Sequence, residues 1–228
     1  QIDHLLEIGP GKGAMTSLLL EKCESLTAIE IDKDLIRFLK KAYGDRKNFN
    51  LIEKDILLYD PKELVRVNKL IGNIPYNIST PIIEWIIDNK SSFDEIFLML
   101  QKEFGERCVA QPNTKSYGRL SIFVQCFFDV TVIREVDKSS FNPSPKVQSI
   151  FLKLIPKVSN MTPNSILMKN LSSLTREAFS KRRKLITNSL KSFFTEEDLV
   201  NLGIERKSRP ENLSVETYIK LAKSIQSG

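Results

Sequence analysis

Leu5-Leu6-Glu7-Ile8-Gly9-Pro10-Gly11-Lys12-Gly13 decides the fold, because this stretch joins a short apolar strand to a helix through three glycines. Glycines let the chain turn sharply and let a ligand approach the backbone where the following helix begins. The GxGxG spacing is neither the GxGxxG of dinucleotide binders nor the GxxxxGKS/T of P-loops. A purely structural turn can have the same composition, so its interpretation depends on the strands that follow.

Apolar strands and helical segments alternate outward from this turn, as far as residue 155. Strands are predicted at 5–8, 26–30, 49–53, 69–71 and 95–101, and two β-branched strands that can pair antiparallel at 129–136 and 149–155. Helices are predicted at 14–23, 34–42, 80–89 and 118–127. This alternation is typical of a mainly parallel α/β sheet with helices on both faces. We therefore predict an α/β domain over residues 1–156.

The remaining residues predict a second domain, which is small and all-helical and spans 163–228. The Pro and Asn residues between 156 and 163 are typical of a linker. Helices are predicted at 166–179, 183–194, after Thr195, and at 215–225. Residues 161–228 contain 12 Lys and Arg against 7 Asp and Glu, in a chain whose net charge is +6. This excess favours a polyanionic partner, although a solvated lysine-rich helix face has the same composition.

Composition excludes several classes of protein. The chain has 228 residues, of which 41% are hydrophobic, and a chain of this size can bury a core that needs neither metal nor disulfide. His4 is the only histidine, which excludes multi-histidine zinc, haem and iron sites and disfavours a Ser-His-Asp triad. Cys23, Cys108 and Cys126 lack CxxC spacing, so we expect reduced, mostly buried thiols and no metal site.

Neither a membrane anchor nor a secretion signal is visible in the sequence. No stretch approaches the roughly 20 apolar residues of a transmembrane helix, and no signal-peptide pattern opens the chain. We therefore expect a cytoplasmic protein that does not act at a membrane, with a monomer as the default. Gln1 leads almost directly into the first predicted strand without an initiator Met, so we expect that an N-terminal piece precedes it.

Acidic residues at the ends of the next two strands support a nucleotide site beside the glycine turn. Glu30 ends the second strand, where a carboxylate can accept hydrogen bonds from both ribose hydroxyls. Asp55 follows the third strand and can accept from an adenine amino group, with Ile31 and Ile56 on either side of the ring. Ordinary strand-end carboxylates remain the alternative. Three such loops in order look like a Rossmann-like methyltransferase that uses S-adenosylmethionine. In such an enzyme, Gly9 and Gly11 approach the cofactor, and Glu7 orients the loop or meets the methionine end through water.

Asn73-Ile74-Pro75-Tyr76 follows the fourth strand and resembles, in its NIPY form, the signature of enzymes that methylate exocyclic amino nitrogens. The lone pair of adenine N6 is delocalised into the ring, so this amine is a poor nucleophile. Acceptors from the Asn73 side chain and the Ile74 carbonyl can orient its two N–H groups, and orientation can supply much of the catalysis. Tyr76 can stack on the extruded base. Asn73 also lies beside the predicted cofactor site.

Together with other stretches, this motif resembles the ribosomal RNA adenine N6,N6-dimethyltransferases of the KsgA type, and the resemblance runs nearly end to end. The supporting stretches are 72–81 (GNIPYNISTP), 99–103 (MLQKE), 115–121 (KSYGRLS), 141–147 (FNPSPKV), 176–184 (REAFSKRRK) and 211–215 (ENLSV). The resemblance implies an enzyme that dimethylates two adjacent adenosines in the 3′-terminal hairpin of small-subunit (16S) rRNA during ribosome biogenesis, with S-adenosylmethionine as cofactor and the small ribosomal subunit as partner.

The resemblance also assigns further residues. Phe141 becomes a second aromatic wall of the adenine pocket, with a loop-anchoring core residue as the alternative. The predicted phosphate contacts, which position RNA without reading its sequence, are Arg107, Lys115, Arg119, Arg182, Arg183 and Lys184. A solvated basic helix face is the alternative for this set.

The sequence departs from the family at its beginning, and two alternative functions remain open. Members of the family normally begin with a basic segment that closes over the cofactor, and nothing here matches it, so a chain that starts at Gln1 is expected to bind its cofactor weakly. The alternatives are a large-subunit rRNA adenine methyltransferase that confers antibiotic resistance and a noncatalytic RNA-binding assembly factor. The stretches 115–121 and 176–184 favour the small-subunit enzyme over the first, and intact Asn73 and Tyr76 argue against the second.

Overall fold

The computed structural model describes residues 3–63, 67–140, 147–158, 162 and 165–225. The chain forms two compact units: Gln1–Gly105 with Asp129–Pro156, and Glu106–Phe128 with Lys157–Gly228. Within the described ranges, no helix is both long and apolar enough to cross a membrane.

The first unit contains a seven-stranded sheet in the order β3-β2-β1-β4-β5-β7-β6. Its strands are β1 (His4–Ile8), β2 (Ser25–Glu30), β3 (Phe49–Glu53), β4 (Lys69–Asn73), β5 (Glu95–Gln101), β6 (Phe128–Val136) and β7 (Ser149–Pro156). The first five strands pair in parallel, and β7 runs antiparallel to β5. The parallel strands are rich in Leu and Ile, and β1, β2 and β5 carry fully buried residues because helices cover the faces of a parallel sheet. The predicted α/β class is confirmed, and the predicted strands agree with the observed ones within three residues.

Helices of the first unit follow the strands as the alternation predicts. They are α1 (Ala14–Leu20), α2 (Lys33–Tyr43) and α3 (Ser79–Asp88). Asp32 begins α2 by accepting hydrogen bonds from the amides of Asp34 and Leu35, which are otherwise without partners in the first turn. Trp85 on α3 donates its indole N–H to the Tyr59 carbonyl at 2.9 Å.

A further helix, α4 (Lys102–Val109), begins directly after β5 and was not predicted from the sequence. It has only eight residues, and Gly105 in its middle disfavours a helix, so the sequence gives only a short helical signal there. Gly105 lies where α4 meets β7, since a Cβ there would lie 2.1 Å from the Cγ2 of Ile150.

The second unit is helical. It contains α5 (Arg119–Phe127), α6 (Ile166–Ser180), α7 (Ile186–Ser189), α8 (Glu196–Asn201) and α9 (Val215–Ser224). Helix α5 packs against α6 and α9, and the buried Tyr117 hydroxyl donates to the Leu213 carbonyl at 2.8 Å. Because of this packing, Glu106–Phe128 belongs to the second unit. The predicted domain over residues 1–156 would instead include this segment in the first.

The predicted helix over residues 183–194 is wrong, because only the four residues of α7 are α-helical there. The apolar spacing of Ile186, Leu190 and Phe194 fits a helix. However, the Ile186 amide donates to the Ser208 carbonyl at 2.8 Å, and Leu185 adopts an extended conformation at ψ 148°. A tertiary hydrogen bond thus replaces the helical one that the local pattern favours.

Candidate active site

The carboxyl ends of β1 to β5 lie at one edge of the sheet, because these strands are parallel. The strand order reverses between β1 and β4, which are direct neighbours. In open α/β sheets, ligands bind outside the carboxyl ends of the strands at such a reversal. The segments that the sequence singled out leave the sheet at this edge, which we call the carboxyl edge.

The glycine turn after β1 has the backbone geometry that its composition predicts. Gly11 and Gly13 have φ angles of 60° and 76°, in the left-handed region that side chains with a Cβ rarely adopt. The Tyr43 hydroxyl donates to the Gly13 carbonyl at 3.2 Å, and a Cβ on Gly13 would lie 2.7 Å from the Tyr43 ring. Helix α2 therefore holds the turn in place through Tyr43. Gly9 also has a positive φ, of 62°, and its amide donates to Ile29 across the sheet.

Glu7 is completely buried in β1 and has an unusual electrostatic environment. Its Oε2 accepts a hydrogen bond from the Thr16 hydroxyl at 2.7 Å, whereas Oε1 has no hydrogen-bond partner among the described residues. Burial raises the pKa of Glu7 to about 7, the nearby Glu30 carboxylate adds to the rise, and the Thr16 hydrogen bond opposes it. The unpartnered oxygen is suited to accept a hydrogen bond from a ligand cation or a water.

Glu30 connects the end of β2 with the glycine turn. Its Oε1 accepts from the amides of Ile31 and Asp32 at 2.9 and 3.0 Å, and its Oε2 accepts from the Gly11 amide at 3.3 Å. The residue is 7% exposed. An ionised carboxylate has about four acceptor positions, so Oε2, with one long hydrogen bond, can accept further from hydroxyl groups.

The residues predicted to hold an adenine ring lie in different environments. Ile31 is 66% exposed, a large apolar side chain directly after β2, whereas Ile56 is buried at 7%. Asp55 accepts from the Leu57 amide at 3.0 Å and so begins a short 3₁₀ turn after β3. Ile31 therefore offers an open apolar surface, and Ile56 belongs mainly to the core.

Asn73 to Tyr76 leave the sheet at the end of β4. Asn73 is opposite Met99 of β5 and its side chain is exposed, while Ile74 is buried and donates its amide to the Met99 carbonyl at 3.0 Å. Pro75 is exposed and leads into a 3₁₀ turn that begins at Tyr76, which is 37% exposed. The fixed backbone at Ile74 thus presents an amide side chain and an aromatic ring at the carboxyl edge.

Two further residues concern the proposed pocket around Tyr76: Phe141, which the sequence predicted, and Ser149, which it did not. Phe141, the predicted second wall, lies outside the described residues. Ser149, which sequence reasoning did not identify, places its hydroxyl oxygen 3.1 Å from that of Tyr76. No local signal pointed to Ser149, because the contact joins residues 73 positions apart.

The basic residues of the second unit have different local roles. Arg107, Lys115, Arg183 and Lys184 are exposed. Arg119 is partly buried with its guanidinium carbon 5.9 Å from the Phe123 ring centroid, and its Nε has no hydrogen-bond partner among the described residues. Burial lowers the pKa of Arg119, and the neighbouring Arg176 contributes to the same shift.

Arg182 has contacts within the protein that the phosphate prediction did not include. It forms a 2.5 Å ion pair with Glu211 and donates to the carbonyls of Lys115 and Thr114 at 2.9 and 3.1 Å. Its guanidinium therefore orders the segment that carries Lys115.

The polar groups at the carboxyl edge fit a nucleoside cofactor with a cationic arm. They are acceptors: the unpartnered oxygen of Glu7, the spare capacity of Glu30, and Asp55. S-adenosylmethionine offers hydroxyl, amino and ammonium donors that match them. Over the described part of the chain, no group of three His, Cys, Asp or Glu residues could hold a metal ion.

The fold and these residues define a Rossmann-like methyltransferase, which implies a methyl donor of the S-adenosylmethionine type. A model of the family "Ribosomal RNA adenine dimethylase" matches residues 1–227. The chain belongs to the ribosomal RNA adenine dimethylase family. The predicted family, fold class and enzyme class are confirmed.

Curated relatives and a solved structure agree with this assignment. The chain is 41% identical to Ribosomal RNA small subunit methyltransferase A of Legionella pneumophila (strain Corby), over 99% of this chain and 88% of the relative. It is 39% identical to the protein of the same name from Coxiella burnetii (strain CbuG_Q212), over 96% and 86%. The crystal structure of a dimethyladenosine transferase from Plasmodium falciparum matches with a TM-score of 0.79 and 31% identity, over 96% and 88% of the two chains. These matches do not favour the large-subunit alternative.

Proposed function

We propose that this enzyme dimethylates N6 of two adjacent adenosines in the 3′-terminal hairpin of small-subunit rRNA during ribosome biogenesis, with S-adenosylmethionine as methyl donor. The observation that carries the proposal is the position of Asn73–Tyr76 at the carboxyl edge, on the strand next to the one that leads into the glycine turn. Membership of the rRNA adenine dimethylase family and the small-subunit names of the relatives support the substrate.

The residues that hold the cofactor in this proposal are those that follow β1, β2 and β3. Glu30 accepts from the ribose hydroxyls through Oε2, Ile31 covers one face of the adenine, and Asp55 accepts from its amino group. Glu7 receives the ammonium of the methionine arm, directly or through water, at its unpartnered oxygen. Gly9 and Gly11 keep side chains out of the turn, and Ile56 supports the adenine site from below. When bound, S-adenosylmethionine supplies a methyl group activated by its sulfonium.

Asn73, Ile74 and Tyr76 act on the target base. The Asn73 side-chain oxygen and the Ile74 carbonyl accept from the two N–H groups of adenine N6, which aims the nitrogen lone pair at the methyl group. Tyr76 stacks on the extruded base, a contact worth roughly 1 to 3 kcal/mol, which helps to offset the cost of unstacking. Pro75 restricts the backbone between them, and Phe141 is proposed as the second aromatic wall. No histidine or metal takes part in this arrangement.

The basic residues of the second unit are proposed to contact rRNA phosphates. Arg119 supports this proposal, because a partly buried guanidinium with an unpartnered Nε can still donate to an anion. Arg107, Lys115, Arg183 and Lys184 add exposed positive charge. Arg182, which the sequence grouped with them, contributes mainly by ordering the Lys115 segment, with its remaining donors available to a phosphate. We propose residues 1–156, apart from Glu106–Phe128, as the catalytic domain. Residues 163–228, together with Glu106–Phe128, are proposed as an RNA-contacting domain.

The proposal is tested by methyl transfer from labelled S-adenosylmethionine to undermethylated small ribosomal subunits and, separately, to naked large-subunit rRNA. Mapping of the product is expected to show dimethyladenosine at two adjacent positions of small-subunit rRNA. Label only in large-subunit rRNA would instead identify a resistance-type methyltransferase. Binding to either RNA without label would identify a noncatalytic assembly factor.

A further inference from the structure

Ser149 is a buried polar residue to which the proposed chemistry assigns no role. It is the first residue of β7, it is 1% exposed, and it lies opposite Gln101 in the antiparallel pair of β5 and β7. Its hydroxyl oxygen lies 3.1 Å from the Tyr76 hydroxyl oxygen, and either group can donate. A buried hydroxyl is costly without a partner, so this bond satisfies Ser149 as well as Tyr76.

The hydrogen bond connects segments from two strands that are not neighbours. Tyr76 lies just beyond the end of β4, and β5 lies between β4 and β7 in the sheet. The Tyr76 side chain therefore reaches past the carboxyl end of β5 to the start of β7. Its ring is fixed at the Cα by the turn after Pro75 and at the far end by Ser149. Since Tyr76 remains 37% exposed, the ring keeps surface for a ligand.

We propose that Ser149 is a positioning residue of the active site, which holds the Tyr76 ring in the orientation that stacks on the target adenine. This inference rests on the proposed function. Base stacking depends on the angle and offset of the two rings, so a ring free to tilt loses part of the contact. Ser149 acts through Tyr76 and receives no contact of its own with the reacting atoms.

The same hydrogen bond can be removed from either side. Ser149→Ala removes one hydroxyl, and Tyr76→Phe removes the other while keeping the aromatic ring. Each single variant is expected to lower kcat for methyl transfer to undermethylated small subunits about fivefold, the loss expected for one hydrogen bond. The KM for S-adenosylmethionine should stay unchanged. The double variant should be no slower than either single variant, because both changes delete one interaction.

Ser25→Ala is the matched control for Ser149→Ala. Ser25 is also the first residue of a strand in the same sheet, and its hydroxyl lies 2.7 Å from the His4 Nδ1 at the amino ends of the strands. This variant is expected to change the melting temperature to a similar extent without changing kcat. Ser149→Thr keeps the hydroxyl and is expected to restore kcat to within about twofold of the wild type.

The outcomes separate this inference from the proposed function. If the wild-type enzyme is active and both Ser149→Ala and Tyr76→Phe keep its kcat, the role of Ser149 is overturned and the proposed function stays intact. A double variant slowed by the product of the two single effects would also overturn it. Wild-type enzyme that methylates no small-subunit rRNA would overturn both. If Ser149→Ala does not fold, Tyr76→Phe tests the same bond at an exposed residue.

Discussion

The two edges of the sheet in the first unit use charge in opposite ways. At the amino edge, the Lys69 ammonium lies 2.8 Å from Asp3 and 3.2 Å from Glu95, and Lys153 pairs with Glu95 as well. At the carboxyl edge, Glu7 keeps a buried oxygen without a partner among the described residues. Charges at the amino edge are thus paired within the protein, whereas Glu7 at the carboxyl edge has no cationic partner among the described residues.

The pKa shifts follow this difference. Hydrogen bonds to Lys153 and Lys69 lower the pKa of Glu95, although burial opposes them. Burial raises the pKa of Glu7 to about 7. The protein therefore stabilises the charged form of Glu95 at the amino edge of the sheet and destabilises the charged form of Glu7 at the carboxyl edge. A buried group in a cleft with a strongly shifted pKa is a candidate for a functional site, which is the role we propose for Glu7.

Asn73→Ala should have the largest effect on the carboxyl edge. Loss of the acceptor that aims the adenine amine is expected to lower kcat roughly 1000-fold, a magnitude typical of a lost transition-state contact. The dissociation constant of S-adenosylmethionine should change little. Asn50→Ala, at an exposed position of β3, is the control and should keep the wild-type rate. A near-normal rate for Asn73→Ala in single-turnover methyl transfer would exclude the amine-orienting role.

Glu7→Gln should stabilise the free protein at high pH. The folded-state pKa of about 7 lies above the ordinary 4.5, so the folded state binds the proton more tightly and stability falls as pH rises from 4.5 to 7. Above pH 7 the buried charge costs about 3 kcal/mol, which an uncharged Gln avoids. Urea unfolding at pH 8 should show this gain, and unfolding at pH 4 should show almost none. The exposed Glu21→Gln is the control; equal stability of Glu7→Gln and wild type at pH 8 would contradict the prediction.

Glu30→Ala should weaken cofactor binding. Loss of charge-assisted hydrogen bonds worth about 2 kcal/mol corresponds to a dissociation constant about 30-fold higher, measurable by calorimetry. Glu53 is the matched control, because it lies opposite Glu30 in the β2–β3 register but its carboxylate pairs with Lys40. Glu53→Ala should leave the dissociation constant unchanged. The ribose assignment fails if the two variants bind the cofactor equally well.

Lys69→Met should have the smallest effect and should affect only stability. Removal of the ammonium leaves Asp3 and Glu95 facing each other, at a cost of about 1 kcal/mol for a partly exposed network. The pKa of Glu95 is lowered in the folded protein, so its contribution is present above its ordinary pKa and is lost as pH falls. The difference from wild type should therefore shrink in acid. A change in kcat would show that the amino edge is not purely structural.

Local patterns were sufficient for the sheet and for much of the carboxyl edge. Strands such as β1 and β5 are short apolar runs bounded by turn residues, and Gly11 occupies a backbone conformation that favours glycine. The positions of Glu30 and Asn73 at the carboxyl edge were predictable because the carboxyl ends of parallel strands meet at one edge; their roles stay predictions. These features depend on residues close together in sequence.

Features set by distant residues were not predictable. The helix expected at residues 183–194 is interrupted because Ile186 bonds to Ser208. Arg182 was expected at the RNA surface, and its pairing with Glu211 depends on a residue 29 positions away. Ser149 looked like one more residue of a β-strand, since its contact with Tyr76 has no local signature.

The three amides that converge on Glu30 have a consequence for the dynamics of binding. The carboxylate is held by the glycine turn and by its own strand end before any nucleoside arrives. Its side-chain entropy is therefore lost during folding and not during association, which is preorganisation of a recognition group. In the function that we propose, cofactor capture at this position needs no rotamer search, and the Glu30 side chain should have the same orientation in the free and the loaded enzyme.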